Sequence, residues 1–208
     1  MHGSDPEAQV RAELEQIMPL VSALTGLPAR WSGVVELVEG ANFKGKKHHT
    51  CSIQLASGLA SQEARWTTLI HESLHAVSAG YSLTAYQSVP GWEEGVVEQL
   101  QRLLRGDILA HMGIAIPSTV LADLDARHRY NVYIRALEAV RSSRGTSETQ
   151  FYLSLLATPL ADRPTKMLME ARRLPAWQRR DALEAVSVSN ATLKQSFSGG
   201  TFSAEEAL

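Results

Sequence analysis

Two histidines flank a glutamate in the run TTLIHESLHAVSAG, residues 67–80, giving His71, Glu72 and His75. Imidazoles one helical turn apart can converge on a single ion, with Zn–N bonds of about 2.0–2.1 Å. Glu72 lies about 100° round the helix from His71, so it need not bind that ion. It can instead reach a water that the ion holds. A divalent zinc lowers the pKa of such a water toward about 7, and a carboxylate beside it can take the proton as the water attacks a carbonyl. That chemistry asks for His-Glu-x-x-His on one helix.

The surrounding residues supply the helix. With Trp66 as origin, Leu69, Ile70, Ser73, Leu74 and Val77 fall into one apolar stripe. The histidines lie away from it, among the small residues Ala64, Thr67, Thr68, Ser78 and Ala79, where another element can approach closely. Cys51 is the only cysteine, which excludes a thiolate zinc knot and leaves His, Asp and Glu as ligands. A hydrolytic zinc takes a third protein ligand and keeps its remaining position for water or substrate. Downstream, VPGWEEGVVEQLQRLL carries a stripe of Trp92, Val96, Leu100 and Leu103, with Glu94, Glu98 and Gln101 on the opposite side.

These residues resemble the gluzincin metallopeptidases, which include thermolysin and the aminopeptidase-N-like enzymes. There the His-Glu-x-x-His helix is followed by a second helix that supplies a glutamate as third ligand. The aminopeptidase-N-like branch places eighteen residues between the second histidine and that glutamate, in a Trp-x-x-Glu-Gly setting. Eighteen residues separate His75 from Glu94, and WEEG brings the tryptophan one position closer. The resemblance implies one Zn2+ per chain on His71, His75 and Glu94, with Glu72 as general base and Glu93 pointing elsewhere. Glu98 resembles the acidic residue that orients a ligand histidine in thermolysin-like enzymes. In RHRYNVYIRALEAVRSSRG, residues 127–145, Tyr130 loosely fits the family's oxyanion-stabilising tyrosine, with Tyr133 and His128 as rivals.

The implied fold is an α+β, zincin-like one: a small N-terminal β-sheet with the active-site helix, then a mostly helical C-terminal part. The implied activity is hydrolysis of a peptide or protein substrate. The Gly-x-Met-Glu-Asn motif of the aminopeptidases is missing, and EGANFKGKKHHTCSIQLAS stands in its region. This makes an endopeptidase-like activity the better fit, with TCSIQLAS as the edge strand that pairs with extended substrate. The alternative is a catalytically silent zinc-binding structural or regulatory module with the same fold. It would be a component of a larger assembly, with the helices after residue 145 covering the cleft.

Composition sets the remaining expectations. A chain of 208 residues with 44% apolar and 20% charged residues and a net charge of -2 suits one globular domain, 1–208, with an upper α/β part, 1–80, and a helical lower part, 81–208. No Lys/Arg stripe calls for nucleic acid. No apolar run approaches the ~18 residues that would span a bilayer. The opening MHGSDPEAQVRAELEQ lacks the pattern of a secretory signal, so a cytoplasmic location is expected. Helical periodicity predicts helices over 6–24, 61–79, 92–104, 118–142, 147–157, 165–173 and 175–187. WSGVVELVEG and TCSIQLAS read as two paired strands joined by a turn in ANFKGKK. KGKKHH reads as solvated turn, Cys51 as a small strand residue without a role, and SFSGGTFSAEEAL as a mobile tail.

Overall fold

The computed structural model describes residues 5–48 and 50–195, so the tail from Ser196 and His49 of KGKKHH lie outside the described residues. The chain is α+β and mostly helical, with one small three-stranded sheet. Helix α1 (Pro6–Thr25) starts behind Asp5, whose side chain accepts from the Glu7 N–H, and stops at Gly26 in the left-handed conformation. Its face of Val10, Leu14, Ile17, Met18 and Val21 is buried against the first strand and α2. Each such side chain contributes about 1.5–3 kcal/mol by leaving water. Glu13 on the same helix takes a two-pronged ion pair from Arg65, which fixes the start of α2.

The sheet consists of β1 (Val35–Val38), β2 (Gly45–Lys47) and β3 (Ile53–Ala56), in the order β1-β3-β2. Both expected strands exist, but they pair in parallel, and β2 lies antiparallel on the other side of β3. The segment read as a solvated turn therefore holds a strand. Lys46 is exposed and Lys47 buried, the alternation that a strand imposes and that three residues are too few to reveal. TCSIQLAS is accordingly the central strand, and the edge beside the histidine helix belongs to β2. Cys51 sits in the turn between β2 and β3 at φ 64°, outside either strand.

A single turn of 3-10 helix (Ser57–Leu59) leads to α2 (Arg65–Val77), shorter than the predicted 61–79. The loop expected between the two site helices contains α3 (Leu83–Ser88), capped by the Ser82 hydroxyl on the Ala85 N–H. Helix α4 (Pro90–His111) runs past its predicted end. The predicted 118–142 helix is two, α5 (Ser118–Ala126) and α6 (Asn131–Ser142), because the Asn131 side chain turns back onto the carbonyls of Asp125 and Ala126. Helices α7 (Glu148–Leu156), α8 (Arg163–Arg172) and α9 (Ala176–Leu193) complete the chain.

One hydrophobic cluster runs from α1 through the sheet and α2 to α9. Among the described residues, no helix is long and apolar enough to cross a membrane. Gly95 of WEEG owes its place to packing: a Cβ there would lie 2.8 Å from Leu137 and 2.9 Å from Tyr133, so its absence lets α6 press onto α4.

Candidate metal centre

Helices α2 and α4 pack against each other, and the pairing of their side chains shows them antiparallel. His71, nearer the start of α2, meets Glu98, while His75, one turn later, meets the earlier Glu93. Between these pairs His71, His75 and Glu94 converge. The two Nε2 atoms lie 3.1 Å apart, and Glu94 Oε2 is 3.2 Å from one and 3.4 Å from the other. Ligand atoms around a tetrahedral ion with bonds of about 2.0–2.1 Å are separated by about 3.3 Å, so the triangle already has the edges of such a site. These three residues form a buried group that could hold a metal ion.

The tautomers strengthen the fit. Glu98 Oε2 stands 3.1 Å from His71 Nδ1, and Glu93 Oε1 stands 2.7 Å from His75 Nδ1. A carboxylate only accepts, so each Nδ1 carries the proton and each neutral ring turns the lone pair of Nε2 to the shared point. Glu94 adds a third electron pair there. Such a convergence needs a cation or protons at its centre. Four buried carboxylates, Glu72, Glu93, Glu94 and Glu98, face two paired guanidiniums, Arg163 on Glu93 and Arg102 on Glu98. Glu72 and Glu94 are left without a guanidinium in ion-pair contact.

Without an ion, protons take that place. Burial disfavours a charged His75, but Glu94 and Glu93 override it and raise its pKa to about 9. His71 is likewise disfavoured by burial and raised well above its ordinary value by Glu94 and Glu98. Burial would raise Glu94, yet the two histidines hold its carboxyl well below the usual range. Metal uptake from this state releases protons.

Glu72 is buried beside the triangle and outside the ligand group. Burial raises its pKa, against the lowering effect of His75, His71 and the Lys47 backbone. Gly45 permits this arrangement: a Cβ there would meet Thr68 Cγ2 at 2.5 Å and Glu72 Oε1 at 3.0 Å. The small face of α2 thus admits β2, as its composition suggests. Two adjoining hollows, of about 870 and 390 Å3, both open on Phe43, Gly45, His71, Glu72, Arg129 and Tyr130. No described residue after Tyr130 lines either one, so the described part of the C-terminal helices does not cover the cleft.

Of the three rivals near residue 130, the structure brings Tyr130 to the site. Its ring stacks on His71 at 5.9 Å between centroids, and its hydroxyl accepts from Arg129 at 2.9 Å. Tyr133 turns the other way, donating to the Gln195 carbonyl at 2.5 Å. His128 stands 3.6 Å from Glu98, and burial lowers its pKa to about 4.

Sequence reasoning missed three residues. Glu93 does point away from the ion, but onto His75 Nδ1, giving each histidine its own carboxylate. Arg163 is wholly buried and donates to Glu93 Oε2 at 2.7 Å, to the Trp92 carbonyl at 2.9 Å and to Ser78 Oγ at 2.7 Å. Tyr86 on α3 donates to the second oxygen of Glu94. The Ser82 cap was the one local signal for α3, and nothing near Arg163 in sequence points to residues 70 positions away.

Glu98 reaches beyond His71. Its other oxygen accepts from Arg102 at 3.0 Å, and Arg102 donates onward to Asn131 at 2.8 Å. Glu98→Gln is expected to weaken metal binding by about 10–100-fold, the usual cost of losing such an orienting carboxylate. Competition against a chromogenic chelator measures this, and wild-type affinity would remove Glu98 from that role. A scan of protein-family models and searches of curated proteins and of solved structures each find no match to this chain.

Proposed function

We propose that the chain is a zinc-dependent peptidase of the gluzincin kind, endopeptidase-like, with a zincin-like fold. The observation that carries this reading is the triangle of His71 Nε2, His75 Nε2 and Glu94 Oε2, backed by two orienting carboxylates and bordered by Glu72 at an open cleft. Zinc on the triangle would act as a Lewis acid toward the scissile carbonyl and as an acidifier of water. Glu72 takes the proton of the attacking water; its raised pKa suits it both to accept that proton and to pass it to the leaving amine.

The Tyr130 hydroxyl donates to the oxygen on which negative charge develops. Its acceptance of the Arg129 N–H makes it a stronger donor. The backbone edge offered to an extended substrate is that of β2, since β3 is paired on both sides.

The purified protein is expected to bind one zinc per chain and to cleave denatured casein, with cleavage lost on chelation and restored by zinc. The competing reading keeps the metal and drops the chemistry. It would prevail if full zinc occupancy accompanied no cleavage of casein or of a peptide library. That no described residue after Tyr130 lines the cleft favours the peptidase.

A further inference from the structure

The smaller hollow has a charge pattern that the catalytic residues do not explain. Besides the triangle and Glu72 it is lined by Lys46, Lys47 and Arg129, and its only carboxylates among the described residues are Glu72 and Glu94. Both carboxylates belong to the metal centre, so a bound dication offsets them and leaves the hollow lined by positive charge.

Lys47 is the more unusual of the cations. Its side chain is only 7% exposed, and its ammonium sits 4.4 Å from the centroid of the Tyr81 ring. Among the described residues it has no carboxylate partner. An ammonium buried this far with no carboxylate in ion-pair reach is costly, and the ring face and the more distant charges of Glu93 and Glu72 compensate it only in part. Arg129 is the second such cation. One of its N–H groups donates to Tyr130, its guanidinium lies 4.8 Å from that ring's centroid, and it too has no described carboxylate partner. A planar guanidinium with unused donors matches a carboxylate two-pronged.

The two cations come from different elements, Lys47 from β2 and Arg129 from the turn before α6, and both line the hollow that His75, Tyr86 and Glu94 also line. At about 390 Å3 it has room for a polar side chain or a chain terminus.

We propose that this hollow is an anion-selecting subsite, in which Lys47 and Arg129 take a carboxylate of the peptide lying across the metal centre. The inference rests on the peptidase reading and adds to it a substrate class: peptides with an acidic group within a few residues of the scissile bond. That carboxylate can come from an Asp or Glu side chain or from the chain's C-terminus, and the test separates the two.

Three succinyl-hydroxamate probes, each ending in leucine followed by one variable residue, are titrated into the zinc-loaded protein. The variable residue is glutamine amide, glutamic acid amide, or glutamine with a free carboxylate. At least one acidic probe is expected to bind about tenfold or more tightly than the neutral one, a preference that shrinks with added salt. Which acidic probe gains identifies the source of the carboxylate. Lys47→Met and Arg129→Gln are each expected to reduce that ratio without abolishing binding of the neutral probe. Arg129 is exposed, so its variant reports even where the buried Lys47 variant folds poorly.

Equal affinity for all three probes overturns the subsite and leaves the metal centre standing, because the neutral hydroxamate reports the metal alone. An acidic preference that survives both substitutions overturns it as well. No binding of any probe to protein that retains zinc overturns the cleft and the subsite together.

Discussion

Glu72→Gln is expected to keep zinc at one ion per chain while lowering peptide hydrolysis by about 10²–10⁴-fold. Glu72 stands outside the ligand group, so the ion does not depend on it. Glutamine has the same shape and can occupy the same space beside Gly45 of β2. What it cannot do is carry a proton from water to the leaving amine. Metal analysis beside a casein assay separates the effects, and wild-type turnover by a zinc-loaded Glu72→Gln protein would falsify the mechanism. Loss of zinc in this variant would instead place Glu72 among the ligands, contrary to the geometry.

Arg163→Met produces the largest expected loss of stability. Arg163 and Glu93 are both fully buried, 2.7 Å apart, and removing the guanidinium leaves a carboxylate with no counter-charge in a dry interior. Breaking such a pair from one side costs about 3–5 kcal/mol. Burial would raise the Glu93 pKa, and Arg163 with His75 brings it below the usual range, so the carboxylate is charged only because those partners are present. The double variant Arg163→Met/Glu93→Gln is expected to recover part of the loss, since it removes both charges. Urea denaturation measures both. If the single variant unfolds at the wild-type urea concentration, the pair does not hold the centre together.

The parts of the site that lie on one helix were legible in the sequence. His71, Glu72 and His75 follow from helical spacing alone, and Glu94 and Glu98 stand one turn apart on the next helix that the pattern marks. Contacts between elements were not legible. The parallel pairing of β1 with β3 depends on a three-residue strand whose sequence, GKK, has almost no strand signature. Glu93 looked idle because its partners, His75, Ser78 and Arg163, come from α2, the end of α2 and α8. Tyr130 and Tyr133 share one helical pattern, and only the break at residues 127–130, set by Asn131, aims the first at the histidines and leaves the second facing the C-terminal segment.

The Arg163 anchor also bears on how small this protein can be made. A chain cut after Gly145 would retain every described residue that lines the cleft, which makes it an inviting minimal fragment. It would also retain the carboxylate behind His75 while discarding the guanidinium that neutralises it. Trimming would therefore strip the cleft-bearing half of its electrostatic keystone, so a fragment that keeps the cleft needs α8 expressed with it.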